Sequence, residues 1–153
     1  MKTKKLMTKD VWFCEPSTSL NDAAHEMWEH DVGCLPVVDG RDDRRVVGMI
    51  TDRDICMAAY HQGKSLKDLH VADAMSQHIV ACRPEDEVED AEQRMRAAQV
   101  RRLPVVDTDN RLVGILSLGQ IALSAGNGGN GPLSEHEVAL TLAAICTPVT
   151  PRS

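Results

Sequence analysis

Leu35-Pro36-Val37-Val38-Asp39 returns unchanged as Leu103-Pro104-Val105-Val106-Asp107, an offset of 68 residues (103 − 35). Working outward, the same offset pairs Met7 with Met75, Cys14 with Cys82, Pro16 with Pro84 and Asp22-Ala23 with Asp90-Ala91. Past the pentapeptide the offset falls to 66, matching Gly48 with Gly114, Thr51 with Ser117 and Ile55 with Ile121. The first copy therefore carries two additional residues in the polar turn at 40–45. Surface turns tolerate a change of length and strands do not, so an indel placed there predicts a duplicated fold.

At 153 residues, each copy is near the size at which a chain stops burying a self-sufficient core, so the halves are expected to pack together. A net charge of −6 argues against nucleic acid or an anionic membrane surface as partner, since both call for clustered Lys and Arg. The basic start Lys2-Thr3-Lys4-Lys5 lacks a following apolar h-region, and no stretch nears the ~20 apolar residues of a membrane helix. A cytoplasmic location is expected. Five cysteines, an odd number without a CxxC pair, read as reduced and buried thiols. The narrower alternative is a redox-linked bridge between Cys14 and Cys34.

Within each copy, a β-prone run (11–14, 79–82) leads through a proline into an amphipathic helix (20–30, 88–99). In the first helix Leu20, Ala23, Ala24, Met27 and Trp28 recur at three- and four-residue spacing, with Ser19 as N-cap. Two apolar runs joined by a polar turn then predict an antiparallel hairpin (35–38 with 46–50; 103–106 with 112–116). A second helix closes each copy (52–61, 118–124). The glycine-rich segment 126–133 reads as a linker. Beyond it, 134–153 holds a short tail helix with a Ser134/Glu137 capping box and an apolar stripe of Val138, Leu142 and Ile145. The copies span 1–66 and 67–125.

Two β-α-β-β-α repeats of this kind, each with a hydrophobic-Pro-hydrophobic-hydrophobic-Asp strand followed by Gly-hydrophobic-hydrophobic-Ser/Thr, resemble a tandem pair of CBS domains, the Bateman module. Gly48-Met49-Ile50-Thr51-Asp52-Arg53-Asp54 matches the Gly-x-x-Thr-x-x-Asp signature in full. The second copy, Gly114-Ile115-Leu116-Ser117-Leu118-Gly119-Gln120, has Gln in place of the acid. The chain is also similar to small stand-alone bacterial CBS-pair proteins of the hypoxic-response type. The resemblance implies an α+β fold of two pseudo-twofold-related repeats packed through their sheets, with the short C-terminal helix added, and a disc-like homodimer.

The same resemblance implies a regulatory, non-catalytic module that binds an adenosine-containing ligand (AMP, ADP, ATP, NAD or S-adenosylmethionine) between the repeats and reports to an effector protein. On that reading Asp54 accepts both ribose hydroxyls, worth on the order of 1.5–3 kcal/mol. Thr51 and the first-turn N–H groups of its helix favour phosphate, with Arg53 in the same turn. Cys14, Val32, Gly33 and Cys34 wall the adenine, and Arg101 with Arg102 clamp phosphate. Gln120 and uncharged Gly33 and Cys34 weaken the second site, so one competent site per chain is expected.

Plainer explanations stand beside these. Thr51-x-x-Asp54 and Ser117-x-x-Gln120 both make capping boxes. Arg101 and Arg102 follow a helix C-terminus, where cations offset the dipole, and Gly33 can end a helix left-handed. The six histidines and five cysteines fall at spacings that do not converge on a metal site, and no Walker loop or Gly-x-Ser-x-Gly elbow marks an enzyme. The alternative function is a stress-response structural dimer that senses through thiols or a metal and binds no nucleotide.

Overall fold

A computed structural model describes residues 1–128 and 131–149; Gly129, Asn130 and residues 150–153 of the predicted linker and tail lie outside the described residues. The chain is mixed α and β, with two small antiparallel sheets and five α-helices among the described residues. It divides into two compact units. One contains Asp10–Ile79 with the hairpin tip Thr108–Leu112, and the other contains Met1–Lys9, Val80–Asp107 and the chain from Val113 on. The first nine residues thus group with the second repeat rather than with the copy they precede.

In the unit of the first repeat, α1 (Leu20–Glu29) leads to the hairpin β1 (Cys34–Asp39) and β2 (Arg45–Thr51), then α2 (Asp52–Gln62). Ser19 caps α1 by accepting from the Asp22 N–H at 3.0 Å. Leu20, Ala23 and Met27 of α1 pack with Leu35, Val37, Ile50 and Ile55 into one core. Trp28, expected on the buried face, is 84% exposed, because one residue beyond Met27 turns it about 100° away. The run at 11–14 is a single parallel bridge rather than a strand: Cys14 alone pairs, its N–H donating to the Pro36 carbonyl and its carbonyl accepting from Val38. The turn residue after α1 is Asp31, at φ 50, and Gly33 has no positive φ. A left-handed Gly33 is therefore corrected to a left-handed Asp31, a conformation that Asp tolerates better than most non-glycine residues.

The unit of the second repeat reproduces this order with α3 (Val88–Ala98), β3 (Arg102–Val106), β4 (Leu112–Ser117) and α4 (Leu118–Gly126), and adds α5 (Glu135–Cys146). Cys82 bridges Val105 as Cys14 bridges Val37, and Gln99, 68 residues after Asp31, repeats the positive φ at 54. Met95, Leu103, Val105, Leu116 and Ile121 form the core.

The signature glycines have a common cause. Met75 and Ser76 lie as a strap across β2, exchanging two backbone hydrogen bonds between Ser76 and Met49 at 2.8 and 3.0 Å. A Cβ on Gly48 would sit 2.8 Å from the Ser76 carbonyl oxygen. Met7 and Thr8, their counterparts 68 residues earlier, strap β4, where Thr8 and Ile115 exchange two bonds of 2.9 Å. Each strap thus precedes one repeat in sequence and crosses the strand of the other.

Candidate ligand-binding site

Thr51 ends β2 and caps α2. Its hydroxyl accepts from the Asp54 N–H at 3.1 Å, and Asp54 Oδ2 accepts from the Thr51 N–H at 2.9 Å. The capping box read from sequence is therefore formed. It also changes the phosphate argument. The Asp52 N–H donates to the Gly33 carbonyl at 3.0 Å, the Arg53 N–H to Asp52 Oδ1 at 2.8 Å, and the Asp54 N–H to Thr51. All three first-turn donors are occupied, so the expectation of free N–H groups for phosphate at Thr51 is corrected. Asp54 keeps the larger capacity, since a carboxylate has about four acceptor positions and the cap uses one. Arg53 is exposed beside it.

The second copy carries the same frame with its carboxamide engaged. Gln120 Oε1 accepts from the Ser117 N–H at 2.8 Å, and Gln120 Nε2 donates to the strap residue Thr8 at 2.7 Å. The Leu118 N–H donates to the Arg101 carbonyl at 2.9 Å, as Asp52 does to Gly33. Arg101 and Arg102 are exposed and line a cavity of about 280 Å³ in their own unit, with Ser117, Leu118, Gly119, Ala122, Val138 and Leu142.

Of the nine residues chosen from sequence, Val32 and Gly33 line a groove of about 600 Å³ at the C-terminal end of α1 and along α2. Its other walls include Met27, Trp28, Asp31, Asp52, Ile55 and Cys56, none of them chosen. Thr51, Arg53 and Asp54 are not among those walls. Cys14 and Cys34 are 5% and 8% exposed in the core, so as base walls they offer main chain rather than thiol. Burial pushes the Cys14 thiol up to about 12, with the Glu15 carboxylate adding to the shift, and Cys82 rises to about 11 for the same first reason. A Cys14–Cys34 disulfide is excluded by register. Cys14 pairs with Val37, and Cys34 lies three residues earlier in β1, roughly 10 Å at about 3.3 Å per residue, beyond the ~7 Å reach of a disulfide. Next to Cys14, half-exposed Trp12 stacks on His30 with ring centroids 3.4 Å apart, and the Arg44 guanidinium lies 4.8 Å from the Phe13 ring centroid. These aromatic pairs depend on contacts distant in sequence.

Known proteins are similar to this chain in sequence and fold. A family model for the CBS domain matches residues 4–61 and again 71–124. The chain belongs to the CBS-domain family. The CBS domain-containing protein YhcV of Bacillus subtilis is 40% identical over 121 residues, which are 79% of this chain and 83% of YhcV. Hypoxic response protein 1 of Mycobacterium tuberculosis is 33% identical over 146 residues, 95% of this chain and 94% of that protein. The crystal structure of Hypoxic Response Protein I with two coordinated zinc ions matches at a TM-score of 0.72 and 32% identity, over 80% of this chain and 98% of that one. CBSX2 in complex with AMP matches at 0.70 and 31%, over 81% and 95%. Among the described residues of this CBS pair, no three His, Cys, Asp or Glu side chains gather as a metal site, and no helix is long and apolar enough to cross a membrane.

Proposed function

We propose that this CBS pair is a regulatory module that binds an adenosine-containing ligand (AMP, ADP, ATP or NAD), performs no chemistry on it, and signals occupancy by a shift in conformation. The observation that carries the reading is the contrast between the copies. The capping box leaves Asp54 further acceptor positions to offer ribose hydroxyls, whereas the Gln120 side chain is bonded at both ends within its own unit. The likeness to CBSX2, whose structure holds AMP, supports the ligand class. Main chain at Val32, Gly33 and Cys34 faces the base, Cys14 backs it, and Thr51 positions Asp54 through the cap. Arg53 supplies positive charge on α2, and Arg101 with Arg102 supply it in the other unit.

A two-state response is limited by the ligand's differential affinity for the two states, and a second copy of the chain is the proposed first listener. Trp28 and Tyr60 are 84% and 76% exposed along α1 and α2, and a homodimer would cover them. A cytoplasmic location and an effector protein belong to the same proposal. The zinc ions of Hypoxic Response Protein I favour a second reading, a stress-response dimer that signals through metal or through the exposed thiols Cys56 and Cys146.

Thermal melting against AMP, ADP, ATP and NAD separates the two. A ligand at about 100 times its Kd adds roughly 2.7 kcal/mol, raising the midpoint by about 5–10 °C for a domain of this size. Asp54→Ala removes the shift and Gln120→Ala keeps it. If all four ligands leave the midpoint unmoved while zinc or reductant moves it, the second reading replaces the first.

A further inference from the structure

Helix α5 is held to its unit by Val138 and Ile145, which pack against the core of the second repeat, and by a set of polar contacts. Glu92 on α3 is only 4% exposed. It accepts from the Thr141 hydroxyl of α5 and pairs with Arg96 at 3.0 Å. Arg96 in turn donates to the same hydroxyl at 2.9 Å. One turn on, Gln99 Nε2 donates to the carbonyls of Ala144 and Thr147 at 3.1 Å each, and Arg101 Nη2 lies 3.7 Å from Cys146 Sγ. Of the stripe expected to pack, Val138 and Ile145 reach the core while Leu142 stays 44% exposed, and α5 buries Thr141 at 0% beside them.

The internal repeat shows what this docking replaces. Counted back 68 residues, Glu92, Arg96 and Gln99 become Ala24, Trp28 and Asp31, all three of which line the open 600 Å³ groove. The counterpart groove beside α4 is about 280 Å³, and Val138 and Leu142 of α5 form part of its wall. Glu92, Arg96 and Gln99 lie under α5, and Arg101 and Arg102, both exposed, line the groove that Val138 and Leu142 narrow. Arg101 also meets Cys146 in the last turn of α5, so an anion bound there competes with the negative end of that helix for the same positive charge.

We infer that α5 is a releasable cover: its docking and the binding of a phosphate-bearing anion at Arg101 and Arg102 exclude one another. The inference rests on the proposed phosphate role of those arginines, and the experiment separates the two. In the full chain, Thr141→Val keeps the shape but leaves Glu92 facing a methyl group. Amide exchange of α5, followed by mass spectrometry, then speeds by about tenfold, with β3 and β4 unchanged as the folding control. Glu92→Leu combined with Thr141→Val makes the contact apolar and slows α5 exchange below the wild-type rate. Inorganic pyrophosphate, titrated calorimetrically at fixed salt, binds Thr141→Val about tenfold tighter than wild type, because affinity scales with the uncovered fraction, and binds the double variant more weakly than wild type. Unchanged α5 exchange in Thr141→Val overturns the cover. Equal pyrophosphate affinity in all three proteins, with exchange altered, overturns the exclusion and leaves the phosphate role standing. No pyrophosphate binding even where α5 exchanges fast overturns that role, and the exclusion with it.

Discussion

Gly48→Ala tests why the signature begins with glycine. An added Cβ lies 2.8 Å from the Ser76 carbonyl oxygen and 3.1 Å from Met75 Sδ. The sulfur can swing away but the carbonyl is backbone, so the strap must shift. That shift strains two hydrogen bonds between Ser76 and Met49, each worth about 0.5–1.5 kcal/mol, and crowding in a packed site costs about 1–3 kcal/mol. Allowing for partial relaxation, the loss is about 2–4 kcal/mol, or roughly 10 °C in midpoint. Gly114→Ala is the internal comparison. There the nearest atom is Met7 Sδ at 2.8 Å and the Thr8 carbonyl oxygen stands back at 3.0 Å, so a larger share of the clash is relieved by a side chain and the loss is smaller. Urea denaturation followed by circular dichroism gives both values with an m-value check. A Gly48→Ala loss below about 0.5 kcal/mol, the range of an ordinary surface substitution, or a larger loss at Gly114, refutes the reasoning.

Thr51→Val removes the cap hydroxyl of α2 and costs about 1 kcal/mol, read as a lower urea midpoint; no loss would mean that Asp54 alone holds the helix start. Trp28→Ala leaves the stability of the isolated chain within about 0.5 kcal/mol, because the ring is exposed, yet lowers self-association in sedimentation velocity; an unchanged sedimentation profile removes Trp28 from the proposed dimer contact. At pH 8 iodoacetamide labels Cys56 and Cys146 within minutes and spares Cys14, whose thiol is raised to about 12, as peptide mass spectrometry will show. Because that thiol is raised on folding, its contribution to stability is complete below the unfolded value near 9 and is lost as pH climbs from there toward about 12; a Cys14→Ser variant should flatten that alkaline slope.

Much of the fold was legible because it is local. The repeated pentapeptide places β1 and β3, three-residue cap spacing places the starts of α2, α4 and α5, and helical periodicity places α1 and α3 within one residue at their C-terminal ends. What escaped depends on partners far along the chain. The runs at 11–14 and 79–82 have the composition of strands but find one bridging residue each. Nothing near Met7 announces that it will lie on β4, and nothing near Thr141 announces a buried Glu92. In the candidate site, Val32 and Gly33 were chosen on the family resemblance, and both line the groove beside α1 and α2. The occupied N–H groups at the start of α2 were not legible, since one of them depends on the Gly33 carbonyl folding back to meet it. Asp52 and Trp28, read as a helix start and a core residue, became groove walls through the same tertiary approach.

The central claim is that AMP or a close relative is held around Gly33 and Asp54. Titrating AMP into the isotope-labelled chain and following amide resonances tests it most directly. The account predicts saturable shifts clustered at Val32 to Cys34 and Thr51 to Asp54, absent in Asp54→Ala. Resonances that stay fixed throughout, or that move only around Trp28 and Cys56, would contradict it.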